Sequence, residues 1–243
     1  MTNNFDYSVR VKNGAGWRSY NRVRLMISVG KEYHEGKKLE AVVNWINRNP
    51  NIQEVHVSVN DTLQRHNYEA AGMSRADAAQ AAKTEGALWM VRNGDILDNI
   101  KVKKIITRWD DWHGREDFQA VQRELLAHAK ADPCFEEAMA RDAQSLAERK
   151  AKRGEPVPIS LITHSQDYIE EEMAVFAMQT AALPAAEVYP GSNLLGAEHL
   201  LNKQGLPEAV RPLSHRYFTR IDFDRINVTP TPAPVAAAQP QVA

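Results

Sequence analysis

The sequence predicts an α/β fold, one doubly wound domain around a parallel sheet. The chain opens strand–helix–strand within about forty residues, 22–60, the spacing of a parallel crossover. Further strand-like runs then alternate with helical stretches along the chain. Hydrophobic residues make up 43% and charged residues 25%, an ordinary globular balance. With 243 residues the chain can bury a core without a disulfide or metal staple.

Arg22-Val23-Arg24-Leu25-Met26-Ile27-Ser28 reads as the first strand and turns at Val29-Gly30. Leu39, Val42, Val43 and Ile46 recur at helical spacing over 36–48, and Asn49-Pro50-Asn51 stops that helix. Over 54–60, Val55, Val57 and Val59 alternate with His56 and Ser58, a second strand. The Ala-rich stretch 73–93 is helical, 102–109 is a third strand, and helices follow over 116–130 and 134–151. Ile159-Ser160-Leu161-Ile162 suggests a fourth strand before a helix over 166–182. Glu187-Val188-Tyr189 is extended and stops at Pro190-Gly191. These elements divide the chain into an N-terminal extension (1–21), one folded domain (22–228) and a Pro/Ala/Gln tail (229–243) too poor in apolar residues to fold.

With 30 Lys+Arg against 31 Asp+Glu, the net charge of -1 argues against a protein that coats nucleic acid, though not against a local basic patch. A single cysteine, Cys134, excludes a disulfide framework, and its place at a helix start predicts a buried, inert thiol. No apolar run approaches a membrane span and the N-terminus has no signal-peptide core, so the reading is a cytoplasmic protein with no membrane contact. Charge leaves monomer and dimer equally open. The eight histidines show no metal-ligand spacing, which predicts no metal.

Ligands of open parallel sheets bind beyond the carboxyl ends of the strands. Ser28 ends the first strand there, a workable place for a nucleophile, although such a serine can equally turn the chain or cap a helix. On the helix after residue 166, Ile169, Met173 and Phe176 form the core stripe, while Tyr168, Glu172, Val175 and Gln179 form the adjacent one. A phenol and a carboxylate on one face can hold an amine or move a proton; the plainer reading is an acidic first turn complementing the helix dipole, which suits Glu170 and Glu171. Two basic clusters stand out: Lys101, Lys103, Lys104 and Arg108 along the third strand, and Arg149, Lys150, Lys152 and Arg153 at a helix end. Both suit either a solvated face or RNA phosphate.

Three segments in order, RLMISVGKEYHEGKKLEAVVNW, VHVSVNDTLQRHNY and YIEEEMAVF followed by EVYPG, make the chain resemble the tRNA-dependent cyclodipeptide synthases. The resemblance spans about residues 22–200. It implies a Rossmann-like domain similar to the catalytic domain of class I aminoacyl-tRNA synthetases, with no ATP chemistry and no cofactor. It implies aminoacyl-tRNAs as substrates and partners, and a 2,5-diketopiperazine made by a ping-pong route. In that family the serine matching Ser28 carries the first aminoacyl group, the pair matching Tyr168 and Glu172 holds its amino group, and the tyrosine matching Tyr189 serves proton transfer. Lys31, where one branch has Asn, and Tyr189-Pro190 suggest the Tyr-Pro branch. Family pockets draw their lining from positions matching Arg24, Met26, Val57, Val175, Glu187 and Pro190. Strand parity puts Arg24 and Met26 on the Ser28 face and Glu187 on the Tyr189 face, so that either a polar pocket or an internal Arg24–Glu187 pair results. Only Arg75, Lys83 and Arg92 lie along helix 73–93, where family members often carry a basic helix, so the other two clusters become the RNA candidates. The alternative function is a catalytically silent aminoacyl-tRNA- or RNA-binding relative.

Overall fold

The computed structural model describes residues 5–12, 14–154, 157–158 and 160–227. Six strands form one sheet: β1 (Phe5–Val11), β2 (Arg22–Ser28), β3 (Glu54–Asn60), β4 (Lys103–Arg108), β5 (Ala186–Tyr189) and β6 (Tyr217–Asn227), in the order β1-β6-β5-β2-β3-β4. All neighbours run parallel except β1, which pairs antiparallel with β6. The predicted α/β class holds.

The helices are α1 (Gly36–Arg48), α2 (Arg65–Ala70), α3 (Arg75–Asp98), α4 (Asp110–His113), α5 (Phe118–Ala131), α6 (Pro133–Lys152), α7 (Ser160–Ala182) and α8 (Leu195–Leu200). Ser74 caps α3 by accepting the Asp77 amide, and Asp132 caps α6 ahead of Pro133. The central strands β2 and β3 are buried on both faces, which is why β2 reads as a nearly continuous apolar run. One core joins Val23, Leu25, Ile27, Val55, Val57 and Val59 to Leu39, Val42, Val43 and Ile46 of α1 and to Trp89 and Leu97 of α3. The other joins Met26 to Trp109, Phe118, Phe135, Met173 and Phe176, the side covered by α5, α6 and α7.

The structure departs from the sequence reading in four places. Phe5–Val11, read as part of a polar extension, form a strand of the sheet. Polar and apolar residues alternate along β1, and its Val9 packs on the α1/α3 core. Residues 160–162, the described part of the run read as a strand, begin α7; so short an apolar run does not separate helix from strand by periodicity. The closing strand β6 was not anticipated: its mixed composition, YFTRIDFDRIN, hides a strand that buries Ile221 and Thr219. Cys134 is exposed, because it sits on the outer side of the first turn of α6. The tail 229–243 and Ile159 lie outside the described residues.

Candidate active site

Strand order reverses between β2 and β5: from β2 the sheet grows through β3 to β4 on one side, and through β5 to β6 on the other. The crevice of such a sheet opens at this switch point, beyond the carboxyl ends of the strands. Ser28 ends β2, Asn60 ends β3 beside it in register, and Tyr189 ends β5. Gly30 turns the chain away at φ 82°, a left-handed conformation that costs glycine nothing. Gly191 is required for a different reason: a Cβ there would lie 2.4 Å from the Tyr189 ring.

The Ser28 hydroxyl is 3.1 Å from the Tyr189 hydroxyl, which lies 2.9 Å from that of Tyr33. Tyr33 sits in a short 3-10 turn, Glu32–His34, between Gly30 and α1. His34 in the same turn accepts the Ser28 backbone N–H through Nδ1 at 2.8 Å, and its carbonyl accepts Trp89 Nε1–H at 3.0 Å. Burial lowers the His34 imidazole to about 3, so the ring stays neutral and holds the Ser28 backbone rather than its hydroxyl. Burial raises Tyr189, Tyr33 and Tyr168 above the ordinary phenol range, so all three keep their protons. Gln64 Nε2 donates to the Tyr168 hydroxyl at 3.4 Å and to the Asn60 carbonyl at 3.2 Å.

Glu172 faces these phenols. Its charge raises Tyr168, Tyr189 and Tyr33 further, which puts it on the side of the sheet where Ser28 meets Tyr189. Among the described residues its carboxyl has no hydrogen-bond partner. Burial, opposed by Arg216, pushes it up to about 8. The folded protein therefore holds a proton that the unfolded chain releases above its ordinary value of 4.5. Stability from this group is complete below that value and is lost as pH rises toward about 8. Glu172→Gln removes the effect. The Tm of the variant is expected to match wild type near pH 4 and to exceed it above pH 8 by at least about 2–4 °C, about 1 kcal/mol after allowance for solvent screening. Thermal unfolding of both proteins across this range is the check.

Tyr168 and Glu172 lie two to three turns into α7, not in its first turn, so the helix-dipole reading of this acidic run does not apply. Glu171, read as a dipole-complementing surface residue, is buried. It accepts from Arg65 Nη1 at 2.9 Å, Trp109 Nε1 at 2.5 Å and His66 Nε2 at 3.1 Å. Burial pushes its carboxyl up, but the bonds from His66 and Arg65 outweigh that and hold it at about 2.

The predicted lining residues divide. Met26 and Val175 are buried in the core on the α7 side, and Pro190 directly follows Tyr189. Val57 points the other way, into the α1/α3 core, because it pairs in register with Leu25 whereas Ser58 pairs with Met26. The crevice-side residues of β3 are thus His56, Ser58 and Asn60. Arg24 and Glu187 are fully buried and pair with each other at 2.8 Å. Arg24 also donates to His56 Nδ1 at 3.1 Å and to the carbonyls of Gln179 and Leu183, both at 2.7 Å. Arg216 closes on Glu187 from the far side. This is the internal-pair alternative rather than a pair of free pocket charges.

The two basic clusters divide as well. Lys103 pairs with Glu54 at 2.8 Å, Lys104 with Asp98 at 2.8 Å and Arg108 with Asp61, while Lys101 lies apart from the crevice in a cleft with Asn47 and Asn99. Arg149 and Lys150 have no carboxylate partner among the described residues. They lie close enough to Lys31 that, after burial, their charges and that of Arg153 lower its pKa. The end of α6 thus stands at the rim of the crevice.

Sequence reasoning missed Tyr33, His34 and Gln64 as site residues. The signal for the first two was nearness: they follow Ser28 by five and six positions across one glycine turn. Gln64 had none, since only the fold carries α2 to α7.

The sequence model of the family described as cyclodipeptide synthase matches residues 16–187. No curated relative matches the sequence. Among solved structures, a cyclodipeptide synthase from Fluoribacter dumoffii is 20% identical, with a TM-score of 0.79 over 92% of this chain and 100% of that one. A Mycobacterium tuberculosis protein, described as showing that cyclodipeptide synthetases are related to type I tRNA synthetases, is 17% identical with a TM-score of 0.69, over 90% and 94% of the two chains. A cyclodipeptide synthase from Candidatus Glomeribacter gigasporarum bound to Phe-tRNAPhe is 17% identical with a TM-score of 0.63, over 90% and 93%. At these identities the likenesses establish the fold. Among the described residues no helix is long and apolar enough to cross a membrane. The family match covers most of the chain and contains Ser28, Tyr168 and Glu172 of the crevice, and on that match the chain belongs to the cyclodipeptide synthase family, a family of tRNA-dependent aminoacyltransferases.

Proposed function

We propose that this protein joins the aminoacyl groups of two aminoacyl-tRNAs into a 2,5-diketopiperazine, by a ping-pong route through an aminoacyl ester on Ser28. One observation carries the reading: a strand-end hydroxyl hydrogen-bonded into a chain of two neutral phenols, beside a carboxyl with no partner among the described residues. The complex of the Glomeribacter relative with Phe-tRNAPhe supports the substrate class.

An aminoacyl-tRNA is already an activated ester, so no step calls for ATP. Ser28 Oγ attacks the ester carbonyl carbon, the bond to the ribose oxygen breaks, and the serine proton ends on that oxygen. The Tyr189–Tyr33 pair relays this proton; neither phenol is a strong base, so each hands on one proton as it accepts another. Glu172 and Tyr168 grip the α-ammonium of the bound residue. An ammonium drives the Glu172 carboxyl to its charged form, and at about 8 it matches the α-amino group, which ordinarily titrates at about 7.7–8.0. It is therefore suited to take the proton that the amine must lose before it attacks in ring closure. Amine attack on the Ser28 ester, and then on the second ester, releases Ser28 and the second tRNA. Tyr189-Pro190 and Lys31 suit the Tyr-Pro branch.

The test is the purified protein incubated with two aminoacyl-tRNAs. Mass spectrometry of the quenched first half-reaction is expected to find the aminoacyl adduct on the peptide containing Ser28, and the full reaction a cyclic dipeptide. Binding of aminoacyl-tRNA without adduct or product is the outcome expected of a silent relative.

The rim cluster is the proposed phosphate contact. Arg149→Glu with Lys150→Glu is expected to raise the KM for aminoacyl-tRNA at least tenfold and to lower the slope of log affinity against log salt by about two. Lys103→Glu with Lys104→Glu, whose carboxylate partners already neutralise the native lysines, is expected to leave both near wild type. Salt-dependent binding measurements check the pair.

A further inference from the structure

α2 and α7 each present two metal-ligand side chains at i, i+3: His66 and Glu69 on the first, His164 and Asp167 on the second. That spacing places both members of a pair on one helix face, and two facing helices so equipped can enclose a cation. One ligand atom each from His66, His164 and Asp167 lies within 4.8 Å of the others. Glu69 stands beside this triad, its Oε2 3.3 Å from His164 Nδ1.

The second observation is a deficit of partners. His66 Nδ1, His164 Nδ1 and Glu69 Oε1 are buried, and none has a hydrogen-bond partner among the described residues. His66 is only 8% exposed. Its other ring nitrogen, Nε2, donates to the Glu171 carboxylate at 3.1 Å, which leaves Nδ1 with an unpartnered lone pair. A carboxylate behind a histidine in this way fixes the tautomer and orients the free nitrogen, the usual support of a metal-binding imidazole. Arg65 and Trp109 hold Glu171 in turn. A buried polar atom without a partner is costly, and a cation would satisfy His66 Nδ1.

We infer that His66, His164 and Asp167 form a divalent transition-metal site of the zinc class that ties α2 to α7, with Glu69 behind His164. Two imidazoles and a carboxylate suit a borderline cation better than magnesium or calcium, which favour all-oxygen shells. Zn–N and Zn–O bonds of about 2.0–2.2 Å put tetrahedral ligand atoms about 3.4 Å apart. The ligand atoms of the triad, within 4.8 Å of one another, reach that spacing by closing in on the cation. Three protein ligands leave the fourth position of a tetrahedral shell to water. Asp167 is exposed and marks the entry side. The cation would stand one helical turn before Tyr168, whose ring centroid is 6.3 Å from that of His66. The sequence reading of no metal overlooked this because the two pairs lie about a hundred residues apart.

The test uses the untagged full chain, stripped with a chelator and titrated with Zn2+ alone. One equivalent is expected to survive dialysis and to raise the Tm. His164→Ala and Asp167→Asn are each expected to weaken binding at least tenfold and to abolish the rise in Tm, while His215→Ala, at an exposed position elsewhere, changes neither. Stoichiometry well below one, or unchanged affinity in both ligand variants, overturns the site. Co2+ added to the wild-type chain gives a readout independent of the variants' folding. Intense visible bands of a tetrahedral complex are expected, and the weak spectrum of hydrated Co2+ overturns the assignment.

Discussion

Ser28→Ala is expected to end diketopiperazine formation, with turnover falling by at least about a thousandfold and no aminoacyl adduct on the protein. The hydroxyl is the only part of the side chain lost, and its single side-chain bond, to Tyr189, is worth about 1 kcal/mol at most, so the fold persists. The backbone at Ser28 stays anchored by His34, whose bond is to the amide. Loss of activity therefore reports the nucleophile rather than a collapsed strand. Tyr189→Phe keeps the ring that Gly191 accommodates and removes only the relay, for an expected loss of about 10²–10⁴ in rate. Persistence of product from Ser28→Ala, measured by mass spectrometry with purified aminoacyl-tRNAs, would place the acyl group elsewhere.

Arg24→Leu is expected to lower stability by about 3–5 kcal/mol, a fall in Tm of roughly 6–20 °C for a chain of this size. The guanidinium is fully buried and donates to Glu187, His56 and two carbonyls at the end of α7. Leucine leaves the Glu187 carboxylate buried with Arg216 as its remaining ionic partner, and takes the Arg24 donor from the Leu183 carbonyl, while the Gln179 carbonyl keeps the Leu183 amide. The same substitution would change the products made if Arg24 selected the substrate from a polar pocket. Thermal unfolding together with product masses separates the two: a stable variant with altered products contradicts the structural role. Adding Glu187→Gln should recover part of the loss, because a neutral amide tolerates the missing cation.

Much of this was legible in the chain, and its limits are physical. The β2–α1–β3 unit was readable residue by residue because buried parallel strands and an amphipathic crossover helix each carry their own periodicity. Ser28, Tyr168, Glu172 and Tyr189 were found through segment resemblance, and the fold brings them to one crevice. What escaped is what depends on tertiary partners. The side of the sheet to which Val57 belongs follows from its register with Leu25. Glu171 is a core residue because Arg65, His66 and Trp109 converge on it from three separate segments. β6 was hidden because its polar residues face other strands and ion pairs, such as Arg10 with Asp224 at 2.8 Å, rather than forming an apolar run.

That same β1–β6 ribbon bears on how the protein can be shortened. A version trimmed to residue 22, the first position of the strand that ends in Ser28, would strip the cover from the seven residues of β6 from Ile221 to Asn227 and bare their amides and carbonyls. Such an edge recruits other chains, so the trimmed protein would be prone to precipitate even with its crevice complete.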